Sequence, residues 1–279
     1  MKIIVTGARG MLGRQLTPYL RAKKLEVIEW DVPEMDITKR KIILQGIKSE
    51  RPDCLIHLAA FTDVDQGEMK KEKTYEINFR GTLNLVFGAK EIGCKFLYLS
   101  TDYVFDGKKG SPYSEDDAPN PINYYGWTKY LGERAIAQEL KRYFIVRTAW
   151  LYSREGKNFV NQLKEKIEKG EELRVVDDQI GSPTYTKDLC EPISNLISSE
   201  HFGIYHLINS GAASWFQLAK EIVKILGIKK EVHPITTEEL KRPAPRPKFS
   251  VLANNRYKKI FGKELRHWRE ALAECLSNY

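Results

Sequence analysis

Two side chains near the middle of the sequence have the types and spacing needed to move a proton. Tyr125 and Lys129 are four positions apart at the start of a helical pattern, so they share one helix face. A lysine ammonium beside a phenol favours the phenolate and lowers the tyrosine pKa from its ordinary value of about 10. Tyr125 is therefore a candidate acid or base near neutral pH, although this spacing also occurs on many helices with no catalytic role.

A hydroxyl group upstream could assist the same chemistry. Thr101 follows a short apolar strand pattern at residues 96–99, and its hydroxyl can hydrogen-bond to a substrate oxygen. If a hydride donor lies across the strand ends, it reaches the carbonyl carbon while Tyr125 protonates the oxygen. The pattern therefore predicts carbonyl reduction, provided that the chain also binds a nicotinamide cofactor.

The first thirteen residues could supply that cofactor site. Lys2–Val5 is a β-branched run typical of a buried strand, and Gly7, Gly10 and Gly13 follow it before a helical pattern begins. Glycine allows a sharp turn and a close backbone approach, and the helix start offers N–H groups to an anion. A pyrophosphate fits such a turn, although a strand–turn–helix with glycines can be only a tight connection.

Two charged residues give opposite indications about the cofactor. Asp31 ends the second strand pattern, about twenty residues beyond the glycines, where a carboxylate grips a ribose hydroxyl and favours NAD. Arg9 lies inside the glycine turn, where a guanidinium can hold the additional phosphate of NADP. We therefore expect either NADPH or NADH to be usable. Asp31 could equally be an ordinary loop residue.

The elements that must position these groups alternate along the chain. Strand and helix patterns follow one another at intervals of roughly 20 to 40 residues, which predicts an α/β fold with a doubly wound parallel (Rossmann) sheet. Ligands bind at the carboxyl ends of such strands, where Ala59, Ala60, Phe61 and Thr62 follow the third strand. We expect a cofactor domain over residues 1–150 and a smaller substrate lobe over residues 151–279, with some later segments rejoining the main sheet.

Composition limits the class of protein. The 279 residues are 42% hydrophobic and 29% charged, which is typical of a globular protein. The sequence has no apolar stretch of membrane-spanning length and no signal-peptide pattern, so we expect a cytoplasmic protein without a membrane partner. The net charge of +8 is scattered among 37 acidic residues, which argues against nucleic-acid binding. Four widely spaced cysteines indicate apolar filling in a reducing compartment and no zinc site: Cys54, Cys94, Cys190 and Cys275.

Several motifs resemble a known family. The segments Thr6–Gly13 and Ser100–Asp102, with the Tyr125 and Lys129 pair, resemble the extended short-chain dehydrogenase/reductases. A narrower resemblance, to the dTDP-4-dehydrorhamnose reductases, extends over nearly the whole chain. It is carried by Leu99–Gly107, Asn123–Lys129, Arg147–Tyr152, Asp178–Thr184 and Arg246–Pro247.

This resemblance implies reduction of the 4-keto group of dTDP-4-dehydro-L-rhamnose to give dTDP-L-rhamnose, with NADPH or NADH. It makes Tyr125 the proton donor, Lys129 the residue that holds the nicotinamide ribose, and Thr101 a contact to the substrate oxygen. Asp102 and Trp150 would line the sugar pocket, although an aromatic residue after a strand is often plain core. Arg246 would contact the diphosphate of the dTDP-sugar, because a guanidinium suits phosphate oxygens; it could also be a surface arginine.

The resemblance also assigns a cofactor site. It puts Gly10, Met11 and Leu12 at the pyrophosphate, Asp31 at the adenosine ribose, and Asp36 with Ile37 at the adenine. The full set of expected cofactor residues is Gly7, Arg9, Gly10, Met11, Leu12, Gly13, Asp31, Asp36, Ile37, Ala59, Ala60, Phe61, Thr62, Tyr125 and Lys129.

One departure and two alternatives remain open. Some bacterial members of the family dimerise through a magnesium ion held by acidic side chains, but Gln15 stands at a matching position and is a poor ligand. We therefore expect no bound metal, and any homodimer to form without a metal bridge. The sequence also resembles the regulatory β subunit of methionine adenosyltransferase, so the chain could be a non-catalytic NADP-binding subunit. Another nucleotide-sugar reductase or epimerase is the second alternative.

Overall fold

A six-stranded parallel sheet forms the centre of the molecule. The computed structural model describes residues 1–277. The strand order is β10-β5-β4-β3-β1-β2, and every neighbouring pair is parallel. The strands of this sheet are β1 (Lys2–Thr6), β2 (Glu26–Trp30), β3 (Cys54–His57), β4 (Lys95–Thr101), β5 (Tyr143–Thr148) and β10 (Gly203–His206).

Helices cover both faces of the sheet, so its central strands are continuous apolar runs and do not alternate. Leu16 and Leu20 of one helix pack with Ile193 on one face, while Ile47 and Leu85 pack on the other. The helices are α1 (Gly13–Ala22), α2 (Arg40–Glu50), α3 (Val64–Met69), α4 (Lys71–Tyr75), α5 (Thr82–Ile92), α6 (Tyr124–Glu139), α7 (Phe159–Glu168), α8 (Cys190–Ser198), α9 (Trp215–Ile225), α10 (Thr237–Leu240), α11 (Asn255–Phe261) and α12 (Trp268–Leu276). The predicted doubly wound parallel sheet is confirmed.

A long helical pattern in the sequence is interrupted in the structure. A helical pattern runs through residues 70–92, but a π-helical turn at Glu76–Gly81 separates α4 from α5. Such turns often occur at functional sites because they redirect side chains within a helix. Here the turn contains Asn78, which is buried and hydrogen-bonded to the backbone of Phe61 in the loop after β3.

The C-terminal half builds a second core and also contributes to the first. Trp268 is fully buried in the second core, which α7, α9 and α12 surround. Strand β10 comes after residue 150 yet pairs with β5 in the main sheet. The division of the chain near residue 150 stays a prediction. Three small two-stranded ladders join β6 (Leu151–Tyr152) to β9 (Thr184–Tyr185), β7 (Leu173–Val176) to β12 (Val232–Ile235), and β8 (Ile180–Gly181) to β11 (Ala213–Ser214).

The structure also bears on two expectations from composition, namely membrane-spanning helices and the role of the cysteines. Within residues 1–277, no helix combines the length and the apolar character that crossing a bilayer requires. All four cysteines carry free thiols and are buried. Burial raises the pKa of Cys94 and Cys190 to about 12, so these thiols stay protonated and act as apolar filling.

Candidate active site

The glycine turn after β1 leaves no room for side chains. Gly7 has a φ of +68°, and a Cβ placed on it would lie 2.7 Å from the backbone nitrogen of Ala59. A Cβ on Gly13 would lie 2.4 Å from the carbonyl oxygen of Ala8. The turn therefore packs directly against the chain that follows β3. No side chain caps the start of α1, and the Arg14 backbone N–H donates to the Gly10 carbonyl of the turn at 3.0 Å.

A cavity of about 540 Å³ opens above this turn, within the usual size range of cofactor pockets. It runs from the end of β2 across the glycine turn to the carboxyl end of β3. The expected cofactor residues that line it are Gly7, Arg9, Gly10, Met11, Leu12, Gly13, Asp31, Asp36, Ile37, Ala59, Ala60 and Thr62. The sequence analysis missed eight other lining residues: Trp30, Val32, Met35, Leu58, Ile77, Leu99, Leu151 and Lys157. Leu58 and Leu99 lie at strand ends, where ligands bind in such sheets, so their place in the cavity wall was predictable. Nothing in the sequence near Lys157 indicated that this residue lines the cavity.

Asp31 and Arg9 meet at the far end of this cavity. One Asp31 oxygen accepts a hydrogen bond from the Arg9 backbone N–H at 2.8 Å, and the other accepts one from the Val32 N–H at 2.9 Å. The Arg9 guanidinium turns outward, donates to the Val32 carbonyl at 3.2 Å and lies 3.4 Å from Glu34. The carboxylate is thus fixed by the backbone, whereas the guanidinium stays at the open rim.

Phe61 contributes to the site through its backbone. The Asn78 side chain accepts a hydrogen bond from the Phe61 N–H at 2.7 Å and donates one to the Phe61 carbonyl at 3.1 Å. Its amide nitrogen also lies 3.2 Å from the Thr128 hydroxyl on α6. Asn78 therefore ties the loop after β3 to the helix that carries Tyr125 and Lys129.

The environment of Tyr125 corrects one expectation from the sequence. Tyr125 is partly buried, and the desolvation of its phenol raises the pKa of Tyr125 well above its ordinary value. The negative charge of Asp102 raises the pKa further, while a hydrogen bond with Thr101 opposes the shift. The expected lowering of this pKa is wrong, because desolvation of the phenolate is the largest influence on it. The phenol therefore stays protonated at neutral pH, in the form that donates a proton.

Lys129 is also deeply placed. Its side chain is buried, and its ammonium nitrogen lies 4.0 Å from the centre of the Tyr98 ring, a cation–π contact. Burial lowers the pKa of Lys129 to about 7, and the Glu133 carboxylate one turn further along α6 opposes that shift. A buried amine in this range changes its charge near physiological pH, so small changes around it alter its state.

Thr101 and Asp102 form a small buried network at the end of β4. The Thr101 hydroxyl donates to Asp102 Oδ1 at 3.0 Å, and the Ser250 hydroxyl donates to Oδ2 at 2.6 Å. Burial raises the pKa of Asp102 to about 6, although these two hydrogen bonds favour the carboxylate. The Tyr103 and Tyr125 rings meet edge to face with centroids 6.1 Å apart. Thr101 and Tyr125, far apart in the sequence, therefore meet at the carboxyl edge of the sheet.

A second cavity of about 300 Å³ lies between this edge and the C-terminal half. Tyr103, Trp215 and Arg246 line it, together with residues of α7 and β7. Of the expected substrate residues, Arg246 lines the cavity, whereas Thr101, Asp102 and Trp150 are not among its lining residues. Trp215 therefore belongs to a pocket wall.

Trp150 supports this wall from behind. Its ring stacks on Trp215 with centroids 3.5 Å apart and planes 4° from parallel. Trp150 adopts a φ of +45°, which is rare for a residue with a large side chain. A Cβ on Gly181 would lie 2.4 Å from the Trp150 ring, so that glycine makes room for the indole. The expected motif around Gly181 therefore has a packing reason.

Arg246 is not a surface arginine. Its side chain is 9% exposed and forms an ion pair with Asp65 on α3. The guanidinium also donates to the Ala244 carbonyl at 2.8 Å, and a hydrogen bond from it lowers the pKa of Tyr103 against a larger rise caused by burial. Its expected contact with a substrate diphosphate stays a prediction.

Metal ligands do not gather in the part of the chain that the structure describes. No group of three or more His, Cys, Asp and Glu side chains there has the geometry to hold an ion. The buried His57 is bonded on both ring nitrogens, to Thr6 at 2.8 Å and Thr82 at 3.0 Å. His57 is therefore a packed histidine.

Comparison with known proteins identifies relatives over the full length. A family model described as the RmlD substrate binding domain matches residues 1–279. The chain is 42% identical to the spore coat polysaccharide biosynthesis protein SpsK of Bacillus subtilis, covering 99% of this chain and 96% of that protein. It is 40% identical to a dTDP-4-dehydrorhamnose reductase of Streptomyces griseus, covering 97% and 91%. The crystal structure of dTDP-4-dehydrorhamnose reductase from Bacillus anthracis in complex with NADP matches with a TM-score of 0.96 at 40% identity, covering 100% of both chains.

Proposed function

We propose a function from the premise that this chain belongs to the RmlD substrate binding domain family, as its motifs predicted. The chain is an NAD(P)H-dependent oxidoreductase that reduces the 4-keto group of dTDP-4-dehydro-L-rhamnose to give dTDP-L-rhamnose. One observation carries the proposal. The hydroxyls of Thr101 and Tyr125 meet at the same sheet edge at which the glycine turn opens its cavity.

The residues around the first cavity fit a nicotinamide dinucleotide. Gly7 and Gly13 keep the turn free of side chains, so a pyrophosphate can approach the uncapped start of α1. Asp31 presents a backbone-fixed carboxylate to a ribose, and Arg9 lies at the rim where a second phosphate would project. When bound there, the reduced cofactor supplies the hydride for the carbonyl carbon.

The remaining steps belong to the side chains of this protein. Tyr125 is a protonated phenol, so it can give its proton to the 4-oxygen as negative charge develops on that atom. Thr101 orients the same oxygen with a hydrogen bond, as the resemblance implied. Lys129 has an ammonium form that favours the resulting phenolate and holds the nicotinamide ribose. Solvent then returns the proton to Tyr125.

The sugar nucleotide is proposed to occupy the second cavity. Tyr103 and Trp215 give it aromatic walls suited to a deoxyhexose, and Trp150 fixes the Trp215 ring by stacking. Arg246 supplies positive charge for the diphosphate while its pairing with Asp65 fixes its direction. Asp102 does not line this cavity. Its carboxylate accepts hydrogen bonds from Thr101 and Ser250 and thereby holds the Thr101 hydroxyl in place.

The cellular setting follows from the same features. Free, buried cysteines suit a reducing compartment, which supports the expected cytoplasmic location. Gln15 on α1 is a poor cation ligand, which supports a homodimer, if one forms, without a metal bridge. Many cationic side chains are engaged with carboxylates, as in Lys2 with Glu50 and Arg21 with Glu29, which argues against a nucleic-acid partner.

Turnover of the purified protein tests the proposal. Mixing it with NADPH and dTDP-4-dehydro-L-rhamnose should consume NADPH in equal amount to the dTDP-L-rhamnose formed. Absence of NADPH consumption while NADPH still binds would refute the reductase and favour the regulatory subunit. Conversion of UDP-glucose without net cofactor consumption would favour an epimerase. A crystal soaked with cofactor and a dTDP-sugar would then locate both ligands.

A further inference from the structure

A buried ion pair that the reaction above does not use lies one helical turn beyond Lys129. The Glu133 carboxylate accepts hydrogen bonds from Arg147 Nε at 3.0 Å and Arg147 Nη2 at 2.7 Å. The two side chains are only 3% and 2% exposed. Ser100 donates a further hydrogen bond to Glu133 Oε1 at 2.5 Å. A pair enclosed in this way is costly to desolvate, so its net contribution to stability is a weak reason for its presence.

The network joins the elements that carry the reacting groups. Ser100 directly precedes Thr101 on β4, and Ser100 is the register partner of Arg147 in the β4–β5 ladder. Glu133 follows Lys129 by four residues on α6, so the two side chains share a helix face. With a longer contact from Arg147 Nε to Oε2 at 3.3 Å, the four hydrogen bonds of the carboxylate fix α6 against the end of the strand that bears Thr101.

The same carboxylate is the counter-charge of Lys129. From β4, the neutral Tyr98 ring faces the ammonium at 4.0 Å. From β3, His57 stays uncharged, because burial and the charge of Lys129 hold its pKa well below its ordinary range. On α6 itself, Tyr125 is a protonated phenol, so the charge that opposes the desolvation of Lys129 comes from Glu133.

We propose that Glu133 is a positioning residue for the reduction: its carboxylate holds Lys129 as an ammonium and fixes α6 so that Tyr125 meets Thr101. This inference rests on the proposed function. A neutral side chain in its place leaves Lys129 and Arg147 as two enclosed cations without their shared counter-charge, and Lys129 then loses its proton at lower pH.

The pH dependence of Glu133→Gln tests this role. The ammonium of Lys129 is the active form, so NADPH affinity and kcat both fall as pH rises through its pKa. In the variant, both falls should move to lower pH by about one unit, which lowers kcat about tenfold on the alkaline limb. Glu139→Gln is the matched control, because Glu139 lies on the same helix in an exposed pair with Lys90 at 2.8 Å. It should leave both pH profiles unchanged.

A purely structural role predicts a different result. If Glu133→Gln lowers only the melting temperature and both pH midpoints stay in place, the proposal is wrong. If that variant does not fold, the double variant Glu133→Gln with Arg147→Met removes both charges together, and the same shift is expected; an unshifted midpoint again overturns the proposal. NADPH affinity needs no sugar substrate, so it still tests Glu133 if the wild-type protein shows no turnover and the proposed function fails.

Discussion

The carboxylate of Asp65 and the guanidinium of Arg246 face each other through two parallel hydrogen bonds, each 2.9 Å long. Asp65 lies on α3 in the N-terminal half, and Arg246 lies 181 residues later in a proline-rich segment. The pair therefore holds one wall of the second cavity against the cofactor half. A bidentate arrangement also sets the plane of the guanidinium, which a single contact would leave free to rotate.

Asp65→Asn should destabilise the protein by about 2 kcal/mol at neutral pH, because a charge-assisted pair is lost while Arg246 stays largely enclosed. Partial burial raises the pKa of Asp65, but the hydrogen bonds and charges of Arg246, Ala244 and Arg242 together lower it by more. The pair's contribution is therefore present above the ordinary aspartate pKa of about 4 and disappears as pH falls below it. Chemical denaturation of both proteins at several pH values measures this. Asp116→Asn is the control, because Asp116 pairs with Arg256 while 84% exposed, and it should have little effect.

Tyr125→Phe should lower kcat by about 10² to 10⁴-fold, because only the proton donor is lost. NADPH affinity should be unchanged, since the ring remains. Stopped-flow turnover and NADPH fluorescence titration separate these quantities. Tyr124→Phe removes a hydroxyl from the neighbouring position of the same helix and should retain activity. Equal turnover in Tyr125→Phe and wild type would contradict the assigned role.

Arg9 and Asp31 should set the preference between NADPH and NADH in opposite directions. Arg9→Gln should lower kcat/KM for NADPH about tenfold and leave NADH use nearly unchanged, because a charged phosphate contact is worth roughly 1.5–3 kcal/mol. Asp31→Ala should lower kcat/KM for NADH and raise the preference for NADPH, because the carboxylate both grips a ribose hydroxyl and repels a phosphate. Steady-state kinetics with both cofactors gives the ratios. A parallel loss with both cofactors in Arg9→Gln would show that Arg9 does not read the phosphate.

Loss of the Asp102 proton should make the free energy of unfolding fall as pH rises. Burial raises its pKa to about 6 in the folded state, whereas the unfolded value is about 4. The folded state therefore binds the proton more tightly, and this contribution is complete below pH 4 and lost as pH rises through 6. Relative to Asp102→Asn, the wild-type free energy of unfolding should fall by about 2 kcal/mol over this range.

Asp106 provides the matched comparison for that measurement. It lies near the surface, where the backbone N–H of Lys108 lowers its pKa. The wild-type stability relative to Asp106→Asn should consequently rise with pH, in the opposite direction. Urea denaturation of the three proteins at pH 3, 4, 5 and 6 checks both signs, because the Asp106 contribution changes mainly below pH 4 and the Asp102 contribution mainly above it. The same slope for both variants would show that the enclosure of Asp102 is not what shifts its pKa.

Much of the architecture is readable from local pattern. The glycine spacing predicts a turn that admits no side chains, and the Cβ contacts at Gly7 and Gly13 give the steric reason. The alternation of strand and helix patterns predicts the parallel sheet, and with it the edge at which ligands bind. In contrast, the π-helical turn around Asn78 was not predicted, because the residues there continue a helical pattern, and the hydrogen bond from Asn78 to Phe61 exists only in the folded chain.

The chemistry of the site depended more on the fold. Tyr125 and Lys129 were identified correctly as neighbours on one helix face, yet the pKa of the phenol moves in the opposite direction from the expected one. The cation of Lys129 lies over Tyr98, a residue that the spacing on α6 does not reveal. Trp215 and Lys157 line cavities although nothing in their local sequence indicated it.

The sequence by itself determined the sheet, the glycine turn, the shared helix face of Tyr125 and Lys129, and the family. These depend on residue type and on separations of a few positions, which set backbone conformation and helix faces directly. Only the tertiary structure decided which groups are desolvated, which charge opposes which, and what Asp65, Glu133 and Trp150 contact. Desolvation and pairing energies depend on atoms brought together from positions up to 181 residues apart, and no local spacing encodes them.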